Sequence, residues 1–225
     1  RLDLIEQPDI KRLIGEAKKP VIVTNRTKRE GGRYKGSEEA RIQSLRQAIE
    51  WGANYIDIEA STPRRLLQPI LETVSQTKTI LSYHHFSLTP DNLEEYFAIM
   101  SETPADIIKI VTYAKNITDN IIIFNLLRRA KKEGKPLIAF CMGDLGEISR
   151  ILSLMMGGYL TFGALDFGKE SAPGQITAAT LRSVYRVHKM GRDSKIYGII
   201  GDPVNKSLGY LIHNRAFLET GLSYI

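Results

Sequence analysis

The stretch DIIKIVT, residues 106–112, sets one lysine inside an otherwise apolar run. A run without polar–apolar alternation fits a strand covered on both faces. The same signature recurs along the chain, in PVIVTNR (20–26), ANYIDIEA (53–60), KTILSYH (78–84), KPLIAFC (135–141) and GYLTFGAL (158–165). Amphipathic helices fill the intervals. Residues 38–51 place Ile42, Leu45 and Ile49 on one face, with Ser37 as N-cap and Gly52 as the stop. Thr89-Pro90 opens a helix carrying Leu93, Phe97 and Met100 on one stripe. The windows 64–76, 119–133, 146–156 and 177–189 behave in the same way. Strands alternating with helices imply a parallel sheet.

Two architectures satisfy that alternation, a closed (β/α)8 barrel and an open doubly wound sheet. No GxGxxG follows an early strand, which removes one support for the open sheet. Polar residues recur at the C-terminal ends of the strands: Arg26, Glu59, His84 and Lys109. A barrel builds its active site at that rim. The chain begins in RLDLIE (1–6), where LDL reads as a strand stub. The expectation is therefore an α/β chain, a fragment cut at both ends, whose TIM barrel spans residues 1–189 and lacks its first strand and helix. MGRDSK (190–195) reads as a linker, and 196–225 as the opening of a second α/β domain with a strand near YGII.

Composition narrows the functional classes. Apolar content of 43% and charged content of 25% fit a globular domain. No window offers the roughly 18 uncharged apolar residues of a membrane span. Cys141 is the only cysteine, so no internal disulfide forms, and four dispersed histidines argue against a metal site. On a strand, His84 and His85 point to opposite faces. The net charge of +6 reads as solvated helix faces before it reads as an anionic partner. RRAKKEG (128–134) is the densest basic run, but no aromatic residues interleave with it, so nucleic-acid binding gains little support.

An ammonium inside an apolar strand is costly unless paired, and burial lowers its pKa. Lys109 is therefore either a neutral amine able to attack a ketone and form an imine, or a strand-end lysine reaching solvent. His84, ending the preceding strand, is either a proton carrier beside it or a packed core histidine. Arg26 and Glu30 in TNRTKREGGRYKG (24–36) suit binding of a carboxylate or hydroxyl and orientation of a histidine, or else form a solvated loop. Arg150, in GEISRIL (146–152), offers a planar guanidinium to a carboxylate. Ser171 and Gln175, in KESAPGQIT (169–177), sit where a loop closes over a polyol or simply connects two elements.

Taken together, TNRTKREGG, SYHHF, DIIKIVT, GEISR, GYLTFGAL and SAPGQIT resemble, in order and spacing, the type I 3-dehydroquinate dehydratases. The resemblance covers residues 1–189. GIIGDPVNKSLGYLIHN (198–214) resembles the start of shikimate dehydrogenase, an order matching fused dehydratase–dehydrogenase proteins. The family implies that Lys109 forms an imine with the C3 ketone of 3-dehydroquinate. His84 then removes the C2 proton and helps expel the C1 hydroxyl, and Glu30 positions His84. Arg150 would bind the substrate carboxylate, with Arg1 and Arg26 near its hydroxyls. Met142, Phe162, Ser171 and Gln175 would line the pocket or its lid. Ser207 matches a shikimate-binding serine of the second domain. Phe140 stands where some members carry Met, and His85 where some carry Asp. Gly209 replaces a second shikimate-holding serine, and Tyr210 the usual Pro. The resemblance implies no cofactor for the dehydratase and NADP for a dehydrogenase, with that cofactor's site beyond this chain. It implies no nucleic acid or membrane partner, a homodimer for a separate enzyme, and a cytoplasmic location, or a plastid one in a plant. The competing readings are another imine-forming barrel, such as an aldolase, and an inert truncated barrel that only binds.

Overall fold

The computed structural model describes residues 1–201 and 204–225. Five parallel strands form one sheet in the order β1 (Ile22–Thr24), β2 (Tyr55–Glu59), β3 (Lys78–His84), β4 (Ile107–Tyr113) and β5 (Leu137–Met142). Helices alternate with them: α1 (Ile10–Gly15) before β1, then α2 (Glu38–Glu50), α3 (Arg64–Leu71), α4 (Leu93–Ser101), α5 (Asp119–Lys132) and α6 (Glu147–Leu152). α7 (Ala178–Ser183) and α8 (Gly209–Glu219) follow. This is the parallel α/β arrangement of a TIM barrel.

Each strand divides its side chains between two apolar environments. Ile56, Ile58, Leu81, Ile108, Ile110 and Ala139 pack outward against Leu45, Phe97, Ile123 and Leu127 of the helices. Ile80, Ile107, Val111, Ile138, Phe140 and Met142 pack inward with Ile22, Leu160 and Phe162. Burial on both faces explains why these strands read as unbroken apolar runs. Ser37 caps α2 by accepting from the Ala40 amide at 3.2 Å.

Several expectations change. LDL is a 3-10 turn (Leu2–Leu4) rather than a strand, because Asp3 turns inward to accept from the backbone amides of Arg26 and Arg33. GYLTFGAL does not join the ladder as a strand among the described residues. It runs beside β5 through a single bond from the Tyr159 amide to the Leu137 carbonyl, 2.8 Å, and bridges Thr177 at Ala164. Leu160 and Phe162 still fill the barrel interior, so its apolar character is used without a full ladder. The helix expected from Thr89-Pro90 starts at Leu93, because the Thr89 hydroxyl instead bonds the Thr112 hydroxyl and the Tyr113 carbonyl. YGII forms no strand among the described residues; Lys195 bridges Tyr224, and the Tyr197 amide donates to Ile225. Around residues 190–195, Ser194 is buried and bonds Ser223, and Ile225 packs on Leu181 and Val187.

Candidate active site

The C-terminal ends of the strands enclose a cavity of about 160 Å³. Arg1, Arg26, Glu30, His84, Lys109, Met142, Arg150, Phe162, Ser171 and Gln175 all line it. Ser207 does not; it lies ahead of α8, where its hydroxyl accepts from the Gly209 amide.

Lys109 projects inward from β4 and is only 7% exposed, which removes the solvent-reaching alternative. Its Nζ donates to Asp57 Oδ2 at 2.8 Å and lies 4.6 Å from the centre of the Phe162 ring. Burial pulls its pKa down, and Asp57 opposes that pull. The β3–β4 register pairs Ser82 with Lys109 and His84 with Val111, which places His84 one inward position further along the rim. His84 Nδ1 meets Glu30 Oε2 at 2.8 Å. Burial, with Arg26 and Lys109 adding like charge, holds the imidazole well below its usual range, so it stays neutral. His85 faces away, its Nδ1 accepting from the Leu88 amide.

Glu30 ends a 3-10 turn (Lys28–Glu30) that Gly31 closes in the left-handed region, φ 75°. A Cβ on Gly32 would lie 1.9 Å from the Arg26 carbonyl oxygen, so the turn requires glycine there. Burial pushes the Glu30 carboxyl up to about 7, although the Ser61 hydroxyl and Arg26 pull the other way.

Arg26 is tied inward. Its guanidinium donates to Asp57 Oδ1 at 2.6 Å and to the Ser82 hydroxyl at 2.8 Å, and lies 3.3 Å from Glu59. Arg41, fully buried on α2, pairs with the other Glu59 oxygen and donates to the Thr62 hydroxyl and the Asn25 carbonyl. Arg150 is different. It is 1% exposed, its guanidinium carbon sits 4.5 Å above the Phe140 ring, and its recorded bond is to the Pro173 carbonyl at 3.2 Å. Its Nε has no partner among the described residues, and burial pulls its pKa down to about 10. A desolvated guanidinium that faces the cavity and pairs with no carboxylate among the described residues is poised for an anionic ligand. The loop that holds Pro173 also carries Ser171, whose amide and hydroxyl both donate to Gln175 Oε1.

Asp57, Ser82, Ser61 and Arg41 escaped the sequence reading. Asp57 had a usable signal, since it stands in an apolar strand two residues from Glu59 and so shares its face.

The sequence pattern of the family described as type I 3-dehydroquinase matches residues 1–192. A bifunctional 3-dehydroquinate dehydratase/shikimate dehydrogenase, chloroplastic, from Arabidopsis thaliana is 41% identical over 212 residues; these span 93% of this chain and 35% of the plant protein. A 3-dehydroquinate dehydratase from Desulfotalea psychrophila is 36% identical over 189 residues, covering 82% of this chain and 84% of its own length. The solved structure of dehydroquinate dehydratase and shikimate dehydrogenase from S. pombe matches with a TM-score of 0.72 at 25% identity, over 100% of this chain and 45% of that one. By pattern, identity and coverage, the chain belongs to the type I 3-dehydroquinase family.

Proposed function

We propose that this chain dehydrates 3-dehydroquinate to 3-dehydroshikimate through an imine on Lys109, the step of the shikimate pathway that its relatives are named for. The observation that carries the reading is one cavity holding a buried amine, a His–Glu pair and a guanidinium that no carboxylate pairs among the described residues. The substrate carboxylate pairs with Arg150, and its C3 ketone reaches Lys109 Nζ. The Lys109 ammonium releases one proton and attacks as the amine; that proton and one more from the nitrogen pass to the carbonyl oxygen, and loss of water leaves a protonated C=N bond. That cation acidifies the C2 proton. His84 takes it at Nε2, provided Nδ1–H is donated to an ionised Glu30. The C2–H electron pair becomes an enamine. Its return expels the C1 hydroxyl, protonated by His84, and restores the protonated imine, which water hydrolyses. Since Glu30 loses its proton near pH 7, the His84 tautomer suited to proton removal prevails above that value.

Borohydride added with 3-dehydroquinate should leave a reduced adduct on the Lys109 peptide and none on Lys109→Met. An adduct on another lysine, or none on folded protein, sinks the mechanism. Turnover of 3-dehydroquinate but not of phosphorylated sugars separates it from an aldolase. Residues 196–225 are read as the start of a shikimate dehydrogenase domain, as the bifunctional relatives support, with 190–195 as the junction and Ser207 as a shikimate contact. The described residues of this segment hold one α-helix and no βαβ unit, so they do not suit NADP. Assembly as a homodimer is tested by sedimentation. Residence in a plastid, as the Arabidopsis relative's name specifies for that protein, or in the cytoplasm is tested by microscopy of a tagged chain.

A further inference from the structure

Asp57 takes no part in the steps proposed for imine formation and dehydration. Asp57 is 1% exposed, lies on β2, and reaches across β3 to Lys109. Its two oxygens are divided. Oδ2 accepts from Lys109 Nζ at 2.8 Å, while Oδ1 accepts from Arg26 at 2.6 Å and from the Ser82 hydroxyl at 2.7 Å. Among the described residues no other carboxylate comes within ion-pair distance of Nζ. The centre of the Phe162 ring lies 4.6 Å from the same nitrogen.

We propose that Asp57 is the resident counter-ion of the protonated imine, holding positive charge on Lys109 Nζ through the covalent stage of the reaction. The inference rests on the dehydratase reading of Lys109. Charge accounting shows why such a group is needed. A lysine ammonium and a ketone give a protonated imine and one water, so a single positive charge sits on the nitrogen before and after the bond forms. The amine is neutral only during attack, and the nitrogen is neutral again only in the enamine. For a nitrogen on so buried a side chain, each cationic stage is unfavourable without a partner.

The groups around the nitrogen do not supply that partner elsewhere. Arg26 from the loop after β1 and Arg1 from the N-terminal turn oppose a cation on Nζ. His84 on β3 is held neutral, Glu30 is turned to His84 and Ser61, and Glu59 on β2 is shared by Arg26 and Arg41. Asp57 is the remaining anion. Burial alone would neutralise it, but Arg26 and Lys109 keep it well below the usual carboxylate range, so it stays charged and takes no part as a proton acceptor. Sharing Oδ1 with Arg26 and Ser82 also limits how tightly it binds the imine cation. The C=N bond therefore keeps its capacity to draw electrons from C2.

Cyanoborohydride reduces protonated imines much faster than neutral ones, so adduct yield by intact mass reports the charge on this nitrogen. With 3-dehydroquinate, the wild-type chain should trap at a nearly constant level between about pH 6 and pH 8. Asp57→Asn should lose at least about tenfold of its adduct over that interval, since removing an opposite charge at this range lowers a pKa by about 1–3. An Asp57→Asn profile superimposable on the wild type would overturn the assignment. Should that variant not fold, the wild-type intermediate decides. Its C=N Raman band must shift in D₂O at pH 8, as a protonated imine's does, and an unshifted band rejects the counter-ion. Absence of any adduct in the wild type would instead remove the dehydratase reading, and this inference with it.

Discussion

Arg150→Met separates the cost of holding a charge from its use. In the free protein the guanidinium is 1% exposed and burial pulls its pKa down to about 10. At about 1.4 kcal/mol per tenfold change, keeping that charge costs about 3 kcal/mol of folding stability at neutral pH. Two contacts return part of it. The bond to the Pro173 carbonyl is worth about 1 kcal/mol, and the stack on Phe140 about 1 kcal/mol. Methionine keeps the apolar stem and fills the slot. The variant should therefore be more stable than the wild type by about 1 kcal/mol, read from urea unfolding at pH 7. Its activity should move the other way. A desolvated guanidinium–carboxylate pair is worth about 3–4 kcal/mol in binding, so kcat/KM for 3-dehydroquinate should fall by about 10²–10³, chiefly through KM. A variant destabilised by about 2 kcal/mol or more would show that Arg150 is a structural tie of the lid loop. A variant with wild-type KM would show that the carboxylate binds elsewhere.

Glu30→Gln should flatten a pH dependence of stability. The folded carboxyl holds its proton up to about 7 against an ordinary 4.5, so the contribution of this group is highest below 4.5 and declines through 7, by about 3 kcal/mol in total. Urea titrations at both ends should show the variant gaining on the wild type as pH rises, while its turnover falls; a constant gap would refute the raised pKa. Arg41→Met leaves a buried Glu59 oxygen unpaired and should cost about 3 kcal/mol in the same assay; a loss under about 1 kcal/mol would show that Arg26 alone suffices. Gly32→Ala drives a Cβ into the Arg26 carbonyl and should cost about 2 kcal/mol or more and displace Glu30, lowering kcat more than it raises KM. Unchanged kinetics would mean the turn relaxes without moving the carboxylate.

The five ladder strands were legible because burial on both faces writes itself as unbroken apolar runs, and their rim residues stood out as polar interruptions. Lys109 and His84 were found by that contrast. GYLTFGAL carries the same composition, but whether its backbone joins a ladder depends on what the neighbouring strand offers, which local sequence does not encode. The inward tie of Arg26 was also hidden. A rim arginine suits a ligand hydroxyl as well as a buried carboxylate, and the choice is made by Asp57, a strand away in space and 31 residues away in sequence.

The buried charges explain why the site holds together without ligand and yet stays receptive. Glu59 is shared by Arg26 and Arg41, and Asp57 by Arg26 and Lys109, so each of these anions is bracketed by cations from different elements. Such a lattice is rigid, because moving one member strips a partner from its neighbour. It fixes the amine against the strand floor. Arg150 stands outside that lattice, and no carboxylate of the protein pairs with it among the described residues. The cavity therefore holds, besides the amine and its own ion pair, a second positive charge that no protein carboxylate among the described residues answers. On the proposed function, a substrate carboxylate would meet Arg150 while the ketone reaches Lys109, so orientation would follow from where the protein leaves a charge unanswered.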